Sequence, residues 1–282
     1  MNYRHAFHAG SFADVVKHAV LVRMLLHLRE KPAPFRVIDT HAGLGRYDLA
    51  GPEALRGGEW RNGIGRLLAA PLTAPARAIL APYLEAVGRL NPGGAVSTYP
   101  GSPELVRALL RAQDRLIACE REPQAAAALA RHLGGDRRAK AIAIDGWTAL
   151  NAYVPPKERR GLVLIDPSFE AVDDFQRMGV ALEAAHRKWT SGSYLLWYPI
   201  KSRREPDALA RRLTRAGIAK LLRAELALAA PRAEGALTAC GLLVVNPPWT
   251  LEAELKVLLP ELAKVMGTAG SGCRVDWLTG ER

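Results

Sequence analysis

Apolar runs of strand length alternate with helix-length stretches along most of the chain, and this alternation limits what the chain can fold into. The runs fall at 35–43, 115–120, 139–146, 161–167 and 193–200; the stretches fall at 11–30, 104–113, 123–133, 170–189 and 207–217. Strands separated by helices pair in parallel, because each helix returns the chain to the edge where the last strand began. Right-handed crossovers then put helices on both faces of the sheet. One connection differs. Between 220–228 and 240–247 the linking sequence "AAPRAEGALTA" has no helical pattern, so these two runs are predicted to form an antiparallel hairpin. A helix over 251–266 and a last strand over 273–278 complete the pattern.

Within the first stretch, Ser11 is read as an N-cap and Asp14, three residues on, as its capping-box partner. The body "VVKHAVLVRMLLHL" is apolar on more than one side, so this helix should be enclosed, and Pro32 and Pro34 stop it. Residues 44 to about 101 break the rhythm with a glycine-rich, charged segment, a helical stretch at 75–90 and then "NPGG". They read as a small helical subdomain, outside any sheet, inserted into a domain formed by 1–43 and 102–282. Parallel strands followed by a hairpin are the order of the class I methyltransferase sheet, so the fold expected is α/β, Rossmann-like, with a helical insertion.

In such a sheet, ligands bind beyond the carboxyl ends of the strands. Here those ends carry Asp39-Thr40-His41-Ala42-Gly43-Leu44-Gly45, then Glu120, then Asp145-Gly146, then Asp166-Pro167-Ser168-Phe169. Gly43 and Gly45 let a ligand approach the backbone closely. Glu120 can accept from ribose hydroxyls and Asp145 from an adenine amino group. A third glycine of the G-x-G-x-x-G pattern and a P-loop are both missing, which disfavours NAD and ATP. The set fits S-adenosylmethionine, although each acid taken singly could be a loop carboxylate or a helix N-cap. Lys17 and His18 could bind the carboxylate of its methionine part; a core histidine is the competing reading of His18. Histidines 5, 8, 18, 27 and 41 have no zinc-site spacing, and no metal is expected.

The substrate side rests on Asp166. An exocyclic adenine amine is a poor nucleophile because its lone pair spreads into the ring. A carboxylate oxygen and the Pro167 carbonyl can accept its two hydrogens and draw it toward sp³ geometry. Phe169 offers a face for an extruded base, a stack worth roughly 1–3 kcal/mol. The tetrapeptide is a relaxed D-P-P-Y, with Ser168 for the second proline and Phe169 for tyrosine. Asn246-Pro247-Pro248-Trp249 matches the pattern better. It follows the second hairpin strand, so it should end on the edge opposite the cofactor, with its prolines terminating the strand and Trp249 packed beneath the sheet.

At this point a family resemblance is carried by "YRHAFHAGSFADVVKH" (3–18), "DTHAGLGRY" (39–47), "YPGSP" (99–103), "LIDPSFE" (164–170), "LWYP" (196–199) and "NPPW" (246–249). In order, and from the N-terminus almost to the end, these resemble the RlmJ family of bacterial 23S ribosomal RNA adenine-N6 methyltransferases. The resemblance implies a monomer that methylates one adenine of 23S RNA, preferably before ribosome assembly, using S-adenosylmethionine. It implies that His18, His41, Ser102, Glu120, Asp145 and Gly146 contact the cofactor, with Lys17 beside them; Asp39 and Gly43 join this set by their place at the end of the first strand. Asp166, with Pro167 and Phe169, would form the catalytic turn, and Tyr3 and Arg4 would lie at the substrate. Ser168 and Phe169 depart from the family's usual residues.

A formal net charge of +11 suits a polyanionic partner, although the Ala, Arg, Gly and Pro richness of a GC-rich genome accounts for part of it. Arg46, Arg56 and Arg61 of the insertion are candidates for RNA contact by charge alone. Three cysteines without paired spacing, no signal-peptide pattern and no membrane-length apolar run suggest a cytoplasmic protein. DNA adenine or a protein amide as acceptor, or an RNA-binding assembly factor with impaired catalysis, remain alternatives.

Overall fold

The computed structural model describes residues 4–229, 235 and 237–280. Its centre is β1 (Arg36–Asp39), which pairs in parallel with β4 (Arg115–Glu120) on one side and β6 (Gly161–Ile165) on the other. β5 (Ala139–Ala143) extends the sheet beyond β4, and β7 (Ser193–Pro199) extends it beyond β6, both in parallel. β9 (Ala239–Val245) then lies antiparallel between β7 and β8 (Leu221–Ala227), and β10 (Gly272–Thr279) pairs antiparallel with β8 at the edge. The eight-stranded order is β10-β8-β9-β7-β6-β1-β4-β5. The predicted parallel sheet and hairpin are therefore observed, and the fold is that of a class I Rossmann-like methyltransferase.

Strand side chains alternate between two helical layers. Val37, Leu116, Leu164 and Leu195 face the layer of α1 (Phe12–Arg29), α5 (Ser102–Leu109), α6 (Pro123–Leu133) and α10 (Leu251–Met266). Ile38, Val163, Ile165 and Leu196 face the layer of α8 (Asp174–Lys188) and α9 (Arg204–Arg215). α7 (Gly146–Tyr153), which periodicity did not reveal, follows β5; its signal was Asp145, which caps it. α5 begins at Ser102, two residues earlier than predicted, because Pro103 fits a first helical turn. α8 begins only at Asp174, not Glu170, so residues 166–173 remain a loop over the sheet edge.

Fourteen of the eighteen residues of α1 are buried, so the helix has no free face and must be covered on the side away from the sheet. The insertion provides that cover. It comprises α2 (Pro52–Gly57), a kinked turn at Arg61–Gly65, α3 (Arg66–Ala69) and α4 (Ala74–Arg89). Contrary to expectation it also contains sheet: β2 (Arg46–Asp48) and β3 (Thr98–Pro100) pair antiparallel, with Tyr47 opposite Tyr99. The segment leaves and re-enters the fold at adjacent points, so its two stems lie side by side and satisfy each other's backbone groups. Tyr47, Ile64, Leu80, Tyr83 and Tyr99 join the same apolar cluster as α1.

The α1 cap also differs from the expected box. The Ser11 side chain makes no capping bond, and its N–H donates to the His8 carbonyl. Asp14 reaches one residue further back and accepts from the Gly10 N–H at 2.9 Å.

The insertion meets α1 backbone to backbone: a Cβ on Gly63 would lie 2.1 Å from the Gly10 oxygen. Gly63→Ala should destabilise the fold by about 1–3 kcal/mol. Gly88, exposed on α4 with nothing near a Cβ, should respond oppositely, Gly88→Ala gaining roughly 0.5–1 kcal/mol. Urea unfolding midpoints check both signs.

Candidate active site

The parallel strands bring Asp39, Glu120, Asp145 and Asp166 to one edge of the sheet, and local contacts join them. The Gly43 N–H donates to Glu120 Oε2 at 2.9 Å, and the Glu122 N–H to Oε1 at 2.8 Å. Each carboxylate oxygen accepts twice, so Glu120 keeps lone pairs for further donors. Gly43 needs its φ of +60°, and a Cβ there would strike the Tyr47 hydroxyl at 2.2 Å. Asp145 Oδ1 accepts from the Trp147 and Thr148 N–H groups at the start of α7. The N-cap reading of this acid is thus realised, with Oδ2 left over, 3.8 Å from Arg121. An open cleft beside it is lined by Arg121, Ala126, Ile144 and Asp145.

Asp39 is fully buried. Its Oδ2 accepts from the Ser102 hydroxyl at 2.6 Å, while Oδ1 has no hydrogen-bond partner among the described residues, although the His41 amide favours the charged form. Burial pushes this carboxyl up to about 7. The Thr40 hydroxyl donates to the Leu164 carbonyl at 2.8 Å, so His41 Nδ1, also 2.8 Å away, must be the donor to Thr40, which leaves Nε2 as an acceptor. Burial holds His41 at about 4, hence neutral. Gly146 packs on it so closely that a Cβ would meet the Thr40 carbonyl at 2.3 Å and the imidazole at 2.7 Å. His18 is buried and neutral, lowered to about 3 by burial, and its Nδ1 lies 2.8 Å from the Tyr99 hydroxyl.

Lys17 stands apart from the expected cofactor carboxylate contact. Its ammonium, nearly enclosed, lies 2.8 Å from Asp14 Oδ1 and 2.5 Å from Asp166 Oδ2. Burial opposes the charge, but the two carboxylates outweigh it and hold the pKa well above the usual lysine range. Asp14 is in turn bonded to His5 Nε2 at 3.0 Å. Burial would raise its pKa, yet His5 and Lys17 hold it well below the usual carboxylate range. Phe169 adopts a left-handed φ of 53°, uncommon for an aromatic residue and confined to a few per cent of non-glycine positions. Its ring, partly buried, packs against Phe175 at 4.7 Å and Trp197 at 5.8 Å. Pro167 is buried. Arg4 is mostly exposed, 3.7 Å from Glu53, and Tyr3 lies outside the described residues.

Asn246 is at the other edge. β9 runs against β7, and the Asn246 side chain donates to the Thr190 and Gly192 carbonyls, which precede β7, at 2.8 and 2.7 Å. The topological reading of the second tetrapeptide therefore holds. Trp249 does not pack beneath the sheet: it is 84% exposed, because the prolines turn the chain outward before α10 begins.

Thr40 and Tyr99 stood in quoted segments but were given no role, since neither side chain has an obvious reaction to perform; Asp14 was visible only as a helix cap. An orphaned buried Asp39 oxygen, spare acceptors on Glu120 and Asp145, and Gly146 packed on the neutral His41 suit a ligand carrying an ammonium group, ribose hydroxyls and an adenine amine. S-adenosylmethionine has all three.

The burial of Asp39 predicts a pH effect on the folded protein. With a folded pKa near 7 and an unfolded value near 3.9, the folded state binds more protons between these values, so this group's contribution to stability falls as pH rises from about 4 to 7. His18 and His41 act oppositely, because their depressed folded values favour the folded state as pH rises through about 6.5. Asp39→Asn isolates the first effect: its stability relative to the parent should be greater at pH 8 than at pH 5, by at most about 1.4 kcal/mol per pH unit. Urea titrations at both pH values measure it.

Comparison with known proteins places the chain in a family. Ribosomal RNA large subunit methyltransferase J of Haemophilus influenzae is 38% identical over 283 residues, spanning all of both chains. The Escherichia coli protein of the same name is 39% identical over 287 residues, again spanning both. The crystal structure of protein LPL1258 from Legionella pneumophila, 33% identical, superimposes with a TM-score of 0.88 over 95% of this chain and 98% of that one. The family described as ribosomal RNA large subunit methyltransferase D, RlmJ, matches residues 32–279. With most of its length inside that match, and whole-length identity to two proteins bearing the name, the chain belongs to the RlmJ family.

Proposed function

We propose that this protein transfers a methyl group from S-adenosylmethionine to N6 of an adenine in 23S ribosomal RNA, with the base extruded into the turn at Asp166–Phe169. The observation that carries this is Asp166 at the end of β6. Its Oδ2 is fixed by Lys17, and its Oδ1 has no hydrogen-bond partner among the described residues. The names of the relatives support ribosomal RNA as the substrate.

When bound, S-adenosylmethionine supplies an electrophilic methyl on a sulfonium. On the cofactor side, Glu120 would receive ribose hydroxyls, Asp145 Oδ2 the adenine amine, and Asp39 with Ser102, His18, His41, Gly43 and Gly146 would enclose the remainder. On the acceptor side, Lys17 holds the carboxylate of Asp166 in one orientation. That leaves Oδ1 to accept one N6 hydrogen, with the Pro167 carbonyl taking the other. Phe169 would stack on the extruded base, its own position set by Phe175 and Trp197. In this reading Lys17 serves the acceptor, not the methionine carboxylate. Placement of the two reactants accounts for much of the rate.

Residues 1–43 and 102–282 would form the catalytic domain and 44–101 an RNA-facing insertion, with Tyr3 and Arg4 at the substrate. The loop after β7 and the start of α9 add Lys201 and Arg204 at the same edge, both exposed and suited to phosphate, whereas Arg203 between them is paired with Asp207 and Glu225. A monomer acting in the cytoplasm on RNA not yet assembled with protein is part of the same reading and rests on the family resemblance. Ser168 favours one other reading, a binding factor with impaired catalysis.

The decisive experiment gives the protein labelled S-adenosylmethionine with protein-free 23S RNA that lacks its own methylations. Label should appear in N6-methyladenine. Asp166→Ala should lower transfer at least about 100-fold while cofactor binding persists. Asn246→Gly, which tolerates the local φ of 50°, should retain it. Preferential labelling of duplex DNA or protein would overturn the choice of substrate, and RNA binding without transfer would favour the impaired factor.

A further inference from the structure

We propose that two phenols of the insertion, Tyr83 and Tyr99, hold His18 as a neutral imidazole protonated on Nε2, a fixed hydrogen-bond donor to the cofactor's carboxylate. The functional half of this rests on reading His18 as a cofactor contact.

The three groups form an unbranched chain. His18 Nδ1 lies 2.8 Å from the Tyr99 hydroxyl, and that hydroxyl lies 2.8 Å from the Tyr83 hydroxyl. Both tyrosines are fully buried and His18 is 1% exposed. The Tyr99 ring also stacks on the imidazole, with centroids 5.6 Å apart and planes 28° apart, so the histidine's plane is set as well as its bond.

The direction of the chain follows from counting donors. Each phenol has one proton to give. Among the described residues Tyr83 has no hydrogen-bond partner except the Tyr99 oxygen. Had His18 donated from Nδ1, Tyr99 would have passed its proton to Tyr83, and the Tyr83 proton would be stranded in the core, the costlier arrangement for a buried donor. Running the other way, Tyr83 donates to Tyr99 and Tyr99 donates to Nδ1, so every proton in the chain finds an acceptor. The imidazole proton then sits on Nε2. That atom is 3.9 Å from Asp14 Oδ1, beyond hydrogen-bond reach, so its N–H remains available to an anionic group.

The groups facing the imidazole keep it neutral. Burial is the largest influence and Lys17 and His5 act with it, against the opposing charge of Asp14. Both phenols are held by burial well above the usual tyrosine range, so they stay protonated donors. Tyr83 is on α4 and Tyr99 on β3, two separate elements of the insertion. A segment read as RNA-facing thus also completes the cofactor pocket, and a shift of α4 would be felt at His18.

Nitrogen-15 NMR of histidine-labelled protein reads the tautomer directly. In the parent, His18 should show a pyrrole-type Nε2 and a pyridine-type Nδ1. Tyr99→Phe should average these signals and weaken S-adenosylhomocysteine binding about tenfold by calorimetry. Tyr83→Phe should keep the tautomer and weaken binding by a smaller factor, and it carries the test if Tyr99→Phe does not fold. A pyrrole-type Nδ1 in the parent, or unchanged tautomer and affinity in the folded variants, overturns the proposal. His18→Ala with undiminished cofactor affinity overturns its functional half alone, and leaves RNA methylation to be judged by Asp166→Ala.

Discussion

The ammonium of Lys17, enclosed between the carboxylates of Asp14 and Asp166, is the interaction on which the edge of the sheet that carries the candidate site depends. A buried charge is tolerated only when paired and hydrogen-bonded, and removing one partner of such a set is far costlier than the set is worth as a whole. Lys17 and Asp14 are one turn apart on α1, whereas Asp166 ends a strand 149 residues later. The group therefore fixes α1 against the sheet at the place where chemistry is proposed. It also leaves one oxygen of Asp166 outward. A single electrostatic requirement thus unites the packing of the first helix with the orientation of the acceptor.

Around this point the molecule divides its work by strand end. β1, β4 and β5 carry the groups suited to the cofactor, and β6 carries the group suited to the acceptor. β1 is the strand at which the order turns from one side of the sheet to the other, so its neighbours separate there and leave a crevice. The insertion closes the α1 side through Tyr47, Tyr83 and Tyr99. Its polar contacts with the core reach α1 through Tyr99 and His18, α5 through Arg46 and Glu104, and α10 through Thr73 and Glu261.

The sequence carried the sheet plainly, because buried parallel strands are continuous apolar runs and four of the five, β1, β4, β5 and β6, ended in a readable acid. The hairpin at β8–β9 was legible from a missing helix, and it decided between the two tetrapeptides. Less was legible where packing overrides local pattern. α7 is short, and only its cap, Asp145, marked it. The β2–β3 ribbon has no alternating apolar signature, since it is created by the closeness of two chain stems. Lys17 was noted as a cation, but its partner Asp166 is remote in sequence, and no spacing rule links them. Trp249 was expected to be inside because large aromatics usually are; two consecutive prolines direct it out.

The burial of α1 bears on how the chain is made. This helix leaves the ribosome well before α10, yet α10 contributes to its cover, and Arg23 forms a two-bonded pair with Glu254. An apolar helix without a polar face must wait, partly uncovered, until α10 has been synthesised. Lys17 gains its fixed position only then. A product truncated before α10 would retain every acid of the catalytic edge and still lack the frame that aims them, so a broken-off chain would be inactive and prone to aggregation rather than partially competent.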